Sequence, residues 1–306
     1  MRKIPDVARN SLVETIRVKI FEEILKQKQT LSTFNYEANA YLKRLSKLPS
    51  TRNYIESEAA SISTNAWQAL YSNYILQDQA IRKSNIAIPY DANDEIFHGI
   101  AKAIFDECLF NTNFWAKIDG EELSKSIFRK NFFAKMSSWV CPYCDIAKDP
   151  TGLSFEIDHL LPSSKFPLLF VHEYNLIPAC ASCNSMHTGK ANNFIAEYKS
   201  YYFHEIGYLV RFKYAGNGYV ISTSDSIANE HLKLLKLPGR LEEPGVILDL
   251  KLIEKKFAKF IKAGISLSEL LDPIESYQYA SIDIYNQLIN SQKSSFQSTF
   301  SPVATP

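Results

Sequence analysis

The sequence predicts a mostly helical α+β protein, with a small cysteine-stapled β-containing unit set between a helical N-terminal segment and a mixed C-terminal one. Three observations predict it. Apolar residues recur at helical spacing through most of residues 1–137. Two Cys-x-x-Cys pairs then bracket two short apolar runs. Beyond them, a Gly/Asn turn separates two runs rich in β-branched and aromatic residues.

The N-terminal helices follow from their apolar stripes. Ser11 and Glu14 fit a capping box, and Leu12, Val13, Ile16, Ile20, Phe21, Ile24 and Leu25 continue at helical spacing. A second helix carries Tyr41, Leu42 and Leu45 and is expected to stop near Pro49. A third runs around Trp67, Leu70, Tyr71, Tyr74 and Ile75. The stripe Ile96, Phe97, Ile100, Ala101, Ile104 and Phe105 makes a fourth, with Cys108 on it as a small apolar residue. A fifth, with Leu123, Ile127, Phe128, Phe132 and Phe133, leads toward Trp139. The aromatic residues lie on core stripes, so packing is the simpler reading of them than base stacking.

The central segment, residues 138–198, carries the chemistry. Cys141-Pro142-Tyr143-Cys144 and Cys180-Ala181-Ser182-Cys183 are separated by 35 residues. Two such knuckles can place four thiolates at the corners of a tetrahedron, the arrangement a structural Zn²⁺ prefers. Between them, the run ending in Asp158 and His159 reads as a strand closed by Leu160-Leu161-Pro162, and Asn175-Leu176-Ile177 reads as the returning strand. Residues 184–198 have helical composition. Strand, loop, strand and helix stapled by zinc make a ββα unit. Taken singly, Asp158-His159 reads as a surface dipeptide, Asn175 as a turn residue and Asn184 as a helix cap.

Together, in this order and inside the cysteine frame, these residues resemble the HNH nucleases over about residues 139–195, under a fifth of the chain. Asp158, His159, Asn175 and Asn184 occupy the family positions, as an HNN variant. The resemblance implies hydrolysis of phosphodiester bonds, with His159 as general base, Asp158 and Asn184 holding a catalytic Mg²⁺ or Mn²⁺, and Asn175 orienting the His159 ring. The residue types suit those roles. Imidazole titrates near neutrality, and carboxylate and amide oxygens are hard ligands. Adjacent strand residues face opposite ways, so Asp158 and His159 can share one metal only where the strand bends. His187, three positions after Asn184, reads as a metal ligand, a phosphate contact or a solvated histidine. Lys190, Arg129 and Lys130 are further candidates for phosphate contact. His172 is expected to pack or cap.

The C-terminal segment, residues 199–293, begins with a hairpin: Gly207–Tyr214 and Tyr219–Thr223 flank Ala215-Gly216-Asn217-Gly218. Helices follow near Ala228–Leu235 and over Leu250–Ile261, the latter ended by Gly264. Ser266 and Glu269 make a second capping box, and a last helix spans about Ile274–Ile289. Residues 294–306 have the composition of a disordered tail.

Charge and composition bound the partners. The net charge is +1, modest for a protein that binds a polyanion. The distribution is uneven: residues 1–57 hold 11 Lys or Arg against six acids. The stretch Lys125–Lys135 has four bases and no acid, and reads equally as a phosphate-gripping helix or a solvated face. Residues 1–137 are therefore a candidate region for partner or nucleic-acid binding. No apolar run is long enough to span a membrane and the N-terminus lacks a secretion signal, so a cytoplasmic setting is expected. The resemblance implies nucleic acid, DNA foremost, as substrate. It also implies a bacterial or phage defence, restriction or mobile-element context, with an ATPase or sensor as partner protein. The rival reading is a non-catalytic zinc-stapled nucleic-acid-binding or adaptor protein.

Overall fold

The computed structural model describes residues 3–4, 11–30, 33–83, 88–89, 91–110, 132, 140–145, 155–185, 189–195, 199–215, 218–266, 269 and 278–299. Helices dominate, and two small antiparallel sheets lie among them.

The first helical stripe forms α1 (Ser11–Ile16) and α2 (Glu22–Thr30), joined without a break by a π-helical turn, Arg17–Phe21. Then come α3 (Ala40–Leu45), α4 (Pro49–Ser61), α5 (Thr64–Lys83) and α6 (His98–Phe110). Asn39 caps α3 by accepting from the Leu42 N–H at 2.9 Å. Pro49 does not merely end a helix, as its position suggested. It opens α4, where its missing N–H costs nothing. Most stripe positions are buried, although Ile75 and Ile96 are exposed, and Phe97 packs edge-on against both Phe21 and Trp67. The fifth expected helix and the Cys108 side chain lie outside the described residues, apart from Phe132, which is buried.

Strand β1 (Phe155–His159) pairs antiparallel with β2 (Leu176–Cys180), from Phe155 opposite Cys180 to His159 opposite Leu176. The following helix, α7 (Ala181–Asn184), is a single turn. The expected helix over 184–198 is therefore corrected: Asn184 closes a helix, and the chain at Ser185 is extended, with φ −62° and ψ 145°. Described residues 189–195 are not helical. Gly189 packs against the second knuckle so closely that a Cβ there would collide with the Cys183 carbonyl. Lys190 then donates its N–H to that carbonyl at 2.9 Å.

The hairpin pairs β3 (Arg211–Ala215) with β4 (Gly218–Ser222). Helices α8 (Ser226–Leu234), α9 (Leu237–Arg240), α10 (Pro244–Lys262) and α11 (Gln278–Thr299) follow. Gly264 has φ +76°, the left-handed geometry that ends a helix. The Ser266–Glu269 box is formed, with the Ser266 N–H on Glu269 at 2.8 Å. Helix α11 continues to Thr299, into the stretch read from composition as a tail. It also covers the edge of β3: Asp283 accepts the Phe212 N–H at 2.7 Å and Gln287 donates to the Phe212 carbonyl at 2.7 Å. Buried side chains from all these segments join one hydrophobic cluster. No helix among the described residues is long and apolar enough to cross a membrane.

Candidate active site and metal centre

The cysteine cluster is built by two turns and a strand end. Cys141 and Cys144 sit on a turn closed by the Asp145 N–H, which donates to the Cys141 carbonyl at 2.9 Å. Asp145 takes φ 62°, a geometry Asp tolerates better than bulkier residues. Cys180 ends β2, and Cys183 lies one turn into α7. The four sulfurs lie within 4.8 Å of one another. Cys144 and Cys180 Sγ are 3.8 Å apart. A tetrahedral ion with four sulfurs at about 2.3 Å has S···S edges of about 3.8 Å, so the cluster fits Zn²⁺. Two donors reach the sulfurs from outside: the Cys180 N–H on Cys141 at 3.3 Å and the Arg240 guanidinium on Cys183 at 2.8 Å. Zinc with four thiolates carries two negative charges, and Arg240 offsets part of them. Among the described residues, this is the one group of His, Cys, Asp and Glu placed to hold a metal.

Below the cluster, β1 sends Asp158 and His159 to separate partners, as strand alternation requires. Asp158 is 6% exposed. It accepts from the Tyr143 hydroxyl at 2.8 Å, and the Lys190 ammonium lies 3.3 Å from the same oxygen. Burial pushes the Asp158 carboxyl up to about 6, against the opposing pull of Lys190 and Tyr143. Lys190 is buried, and its ammonium also donates to the backbone carbonyls of His159 at 2.8 Å and Ala191 at 3.2 Å. Lys190 is thus an internal cation, paired with Asp158 and two backbone carbonyls.

The His159 ring turns toward aromatic neighbours. Its centroid is 4.6 Å from that of Phe170 and 5.4 Å from that of Phe105 on α6. Nε2 lies 3.0 Å from the Phe170 carbonyl. A carbonyl only accepts, so the proton sits on Nε2, leaving the Nδ1 lone pair unprotonated and without a hydrogen bond among the described residues. Burial pulls the ring down to about 4, with Lys190 acting in the same direction. The imidazole is therefore neutral at neutral pH.

Asn175 is fully buried, and among the described residues its side chain makes no hydrogen bond to the ring. Its amide accepts the Leu161 N–H at 2.8 Å and donates to the Leu161 and Leu169 carbonyls at 3.1 and 3.0 Å. It braces the loop that ends in the Phe170 carbonyl, so any effect on His159 passes through the backbone. Asn184 donates to Glu156 at 2.7 Å, an acid on the Asp158 face of β1. The structure therefore brings Asp158 to Tyr143 and Lys190, Asn184 to Glu156, and His159 to Phe170. Asp158 and Asn184 have the chemistry of Mg²⁺ ligands, and the contacts here engage Asp158 Oδ2 and the Asn184 amide nitrogen. His187, Arg129 and Lys130 lie outside the described residues.

Sequence reasoning missed three contributors: Tyr143 inside the first knuckle, Lys190 as a buried partner, and Glu173. It expected His172 to pack or cap. His172 is fully buried, donates from Nε2 to Asp78 at 2.9 Å, and accepts the Tyr174 N–H on Nδ1 at 3.2 Å.

No protein-family model matches the chain, and no solved structure matches it. Over 50 residues, 16% of its length, it is 38% identical to Septu protein PtuB of Bacillus thuringiensis. The matched stretch covers 20% of that protein. The likeness is local and spans about a fifth of the relative.

Proposed function

We propose that the chain is an endonuclease of the HNH type, hydrolysing phosphodiester bonds in nucleic acid, with DNA as the foremost substrate and His159 as general base. One observation carries the reading: the His159 imidazole at a strand end has Nε2 3.0 Å from the Phe170 carbonyl and no hydrogen bond on Nδ1 among the described residues. Such a ring can take a proton from water through Nδ1 while the carbonyl stabilises the cation that forms. A base of pKa about 4 is weaker than neutral pH favours. The negative charge of a phosphate beside the ring would raise it. The zinc cluster has a structural role, tying the Cys180 end of the β1–β2 hairpin to the turn that carries Tyr143. When bound, a catalytic Mg²⁺ or Mn²⁺ would stabilise charge on the phosphate. Asp158 and Asn184 would hold it through carboxylate and amide oxygens. A defence setting and a partner protein remain part of the proposal, supported by the resemblance and by the local likeness to Septu protein PtuB.

The pairing of the Asp158 carboxylate with Lys190 and Tyr143 favours a second reading, a zinc-stapled binding or adaptor protein without cleavage. Supercoiled plasmid incubated with the zinc-loaded chain separates the two. Under the nuclease reading, open-circle or linear DNA appears with Mg²⁺ or Mn²⁺, and disappears with EDTA and in folded His159→Ala. Cleavage by His159→Ala at the wild-type rate would remove His159 as the base. A folded, zinc-loaded chain that binds DNA and never cuts it would favour the adaptor.

A further inference from the structure

The segment that supplies the carbonyl to His159 is fastened from the far end of the chain. Glu173, with no exposed surface, accepts from Arg17 Nε at 2.7 Å and from a second Arg17 nitrogen at 3.1 Å. Arg82 donates to the same carboxylate at 3.1 Å and to Asp78 at 2.8 Å. Asp78 in turn accepts from His172, the neighbour of Glu173. Arg82 also lies over the Tyr174 ring, 5.5 Å from its centroid. Arg17 reaches this place because it begins the π-helical turn, and it is 4% exposed. A π turn inside a helix is a costly local geometry, found most often where a side chain must be aimed. Arg17 further donates to Tyr74 at 3.0 Å and pairs with Glu22.

The cluster does not need this composition for stability. Buried ion pairs are commonly matched or exceeded by apolar packing of the same volume. What a planar two-point Arg–carboxylate contact adds is a fixed geometry. Here it fixes a short segment at its middle, while Asn175 holds one end on Leu161 and Leu169. The remaining end is Phe170, whose carbonyl takes the His159 proton.

We infer that Glu173 is a positioning residue, through which Arg17 and Arg82 of the N-terminal helices set the ring orientation and tautomer of His159. This rests on the reading of His159 as general base. The helical segment thereby acts on the site and is more than a neighbouring module.

The test uses the full zinc-loaded chain labelled with ¹⁵N-histidine. Long-range ¹H–¹⁵N spectra report which ring nitrogen carries the proton, and the His159 signal is assigned by its loss in His159→Ala. Wild type should show a single Nε2–H form. Two variants follow: Glu173→Gln, and the apolar pair Arg17→Met with Glu173→Leu, which removes both charges together. Each is expected to keep its zinc while His159 shows mixed tautomers, with kcat on plasmid down about ten- to a hundredfold and KM unchanged. Arg82→Met leaves the Arg17–Glu173 contact in place and should shift the spectrum the same way by less, so it serves if the other variants do not fold. A single unchanged Nε2–H signal in folded, zinc-loaded variants would overturn the inference. A changed tautomer in a chain whose wild type never cuts DNA would sustain the positioning role and remove the nuclease reading.

Discussion

Replacing Lys190 by Met removes one buried ammonium and leaves three acceptors behind it. Asp158 loses the cation 3.3 Å away, and the carbonyls of His159 and Ala191 lose their donor. Lys190 is 1% exposed and Asp158 6%, so water does not readily substitute. Breaking a buried pair from one side costs about 3–5 kcal/mol. Tyr143 still donates to Asp158 at 2.8 Å, which places the expected loss toward the lower end. With a urea m-value of about 3 kcal/mol/M, the unfolding midpoint should fall by about 1 M. Adding Asp158→Asn removes the stranded charge and keeps an acceptor for Tyr143. The double variant should then recover much of the loss, with a coupling of at least about 1.5 kcal/mol. The assay is equilibrium urea unfolding of zinc-loaded protein at pH 7.5, followed by circular dichroism. A midpoint within about 0.2 M of wild type, or strictly additive losses, would refute the reasoning. Lys190 would then stand in water, available to phosphate as the sequence suggested.

Two further outcomes follow from the same contacts. The purified chain should carry one zinc per molecule, and Cys180→Ser should lose it and raise amide exchange across β1 and β2, because such a site forms with the fold; full zinc and unchanged exchange in the variant would show that the knuckles do not share an ion. Acid should also weaken the protein through Glu173: burial alone would raise this carboxyl, but His172 and Arg17 beside it overcome burial and hold it at about 2, below its ordinary 4.5. A depressed carboxyl contributes stability that is complete above pH 4.5 and lost as pH falls toward 2, here about 3 kcal/mol. Urea midpoints taken between pH 6 and 2.5 should fall through that window in wild type and fall less in Glu173→Gln; equal slopes would contradict it.

Whatever depends on neighbours in sequence was legible before the fold. The two cysteine pairs each close within one turn, so their spacing alone pointed to the four-cysteine cluster. Apolar stripes name the core faces of α2, α5 and α6, and Gly264 and the Ser266–Glu269 box mark helix ends through local hydrogen bonds. The strand around Asp158 and His159 was likewise readable, since its period and its bounding residues are local.

The partners of the site residues were a different matter. Arg17 and Glu173 are 156 positions apart, and nothing near either one names the other. Lys190 looks like any surface lysine until Gly189 folds it back over the second knuckle and turns it toward Asp158. Asn184 looked like the start of a helix because composition cannot register that the Cys183 carbonyl is taken by the Lys190 N–H. The sequence by itself determined which residue types are present and which short elements they form. Only the tertiary structure decided which charges are buried together, because desolvation and pairing depend on what the rest of the chain brings within about 4 Å.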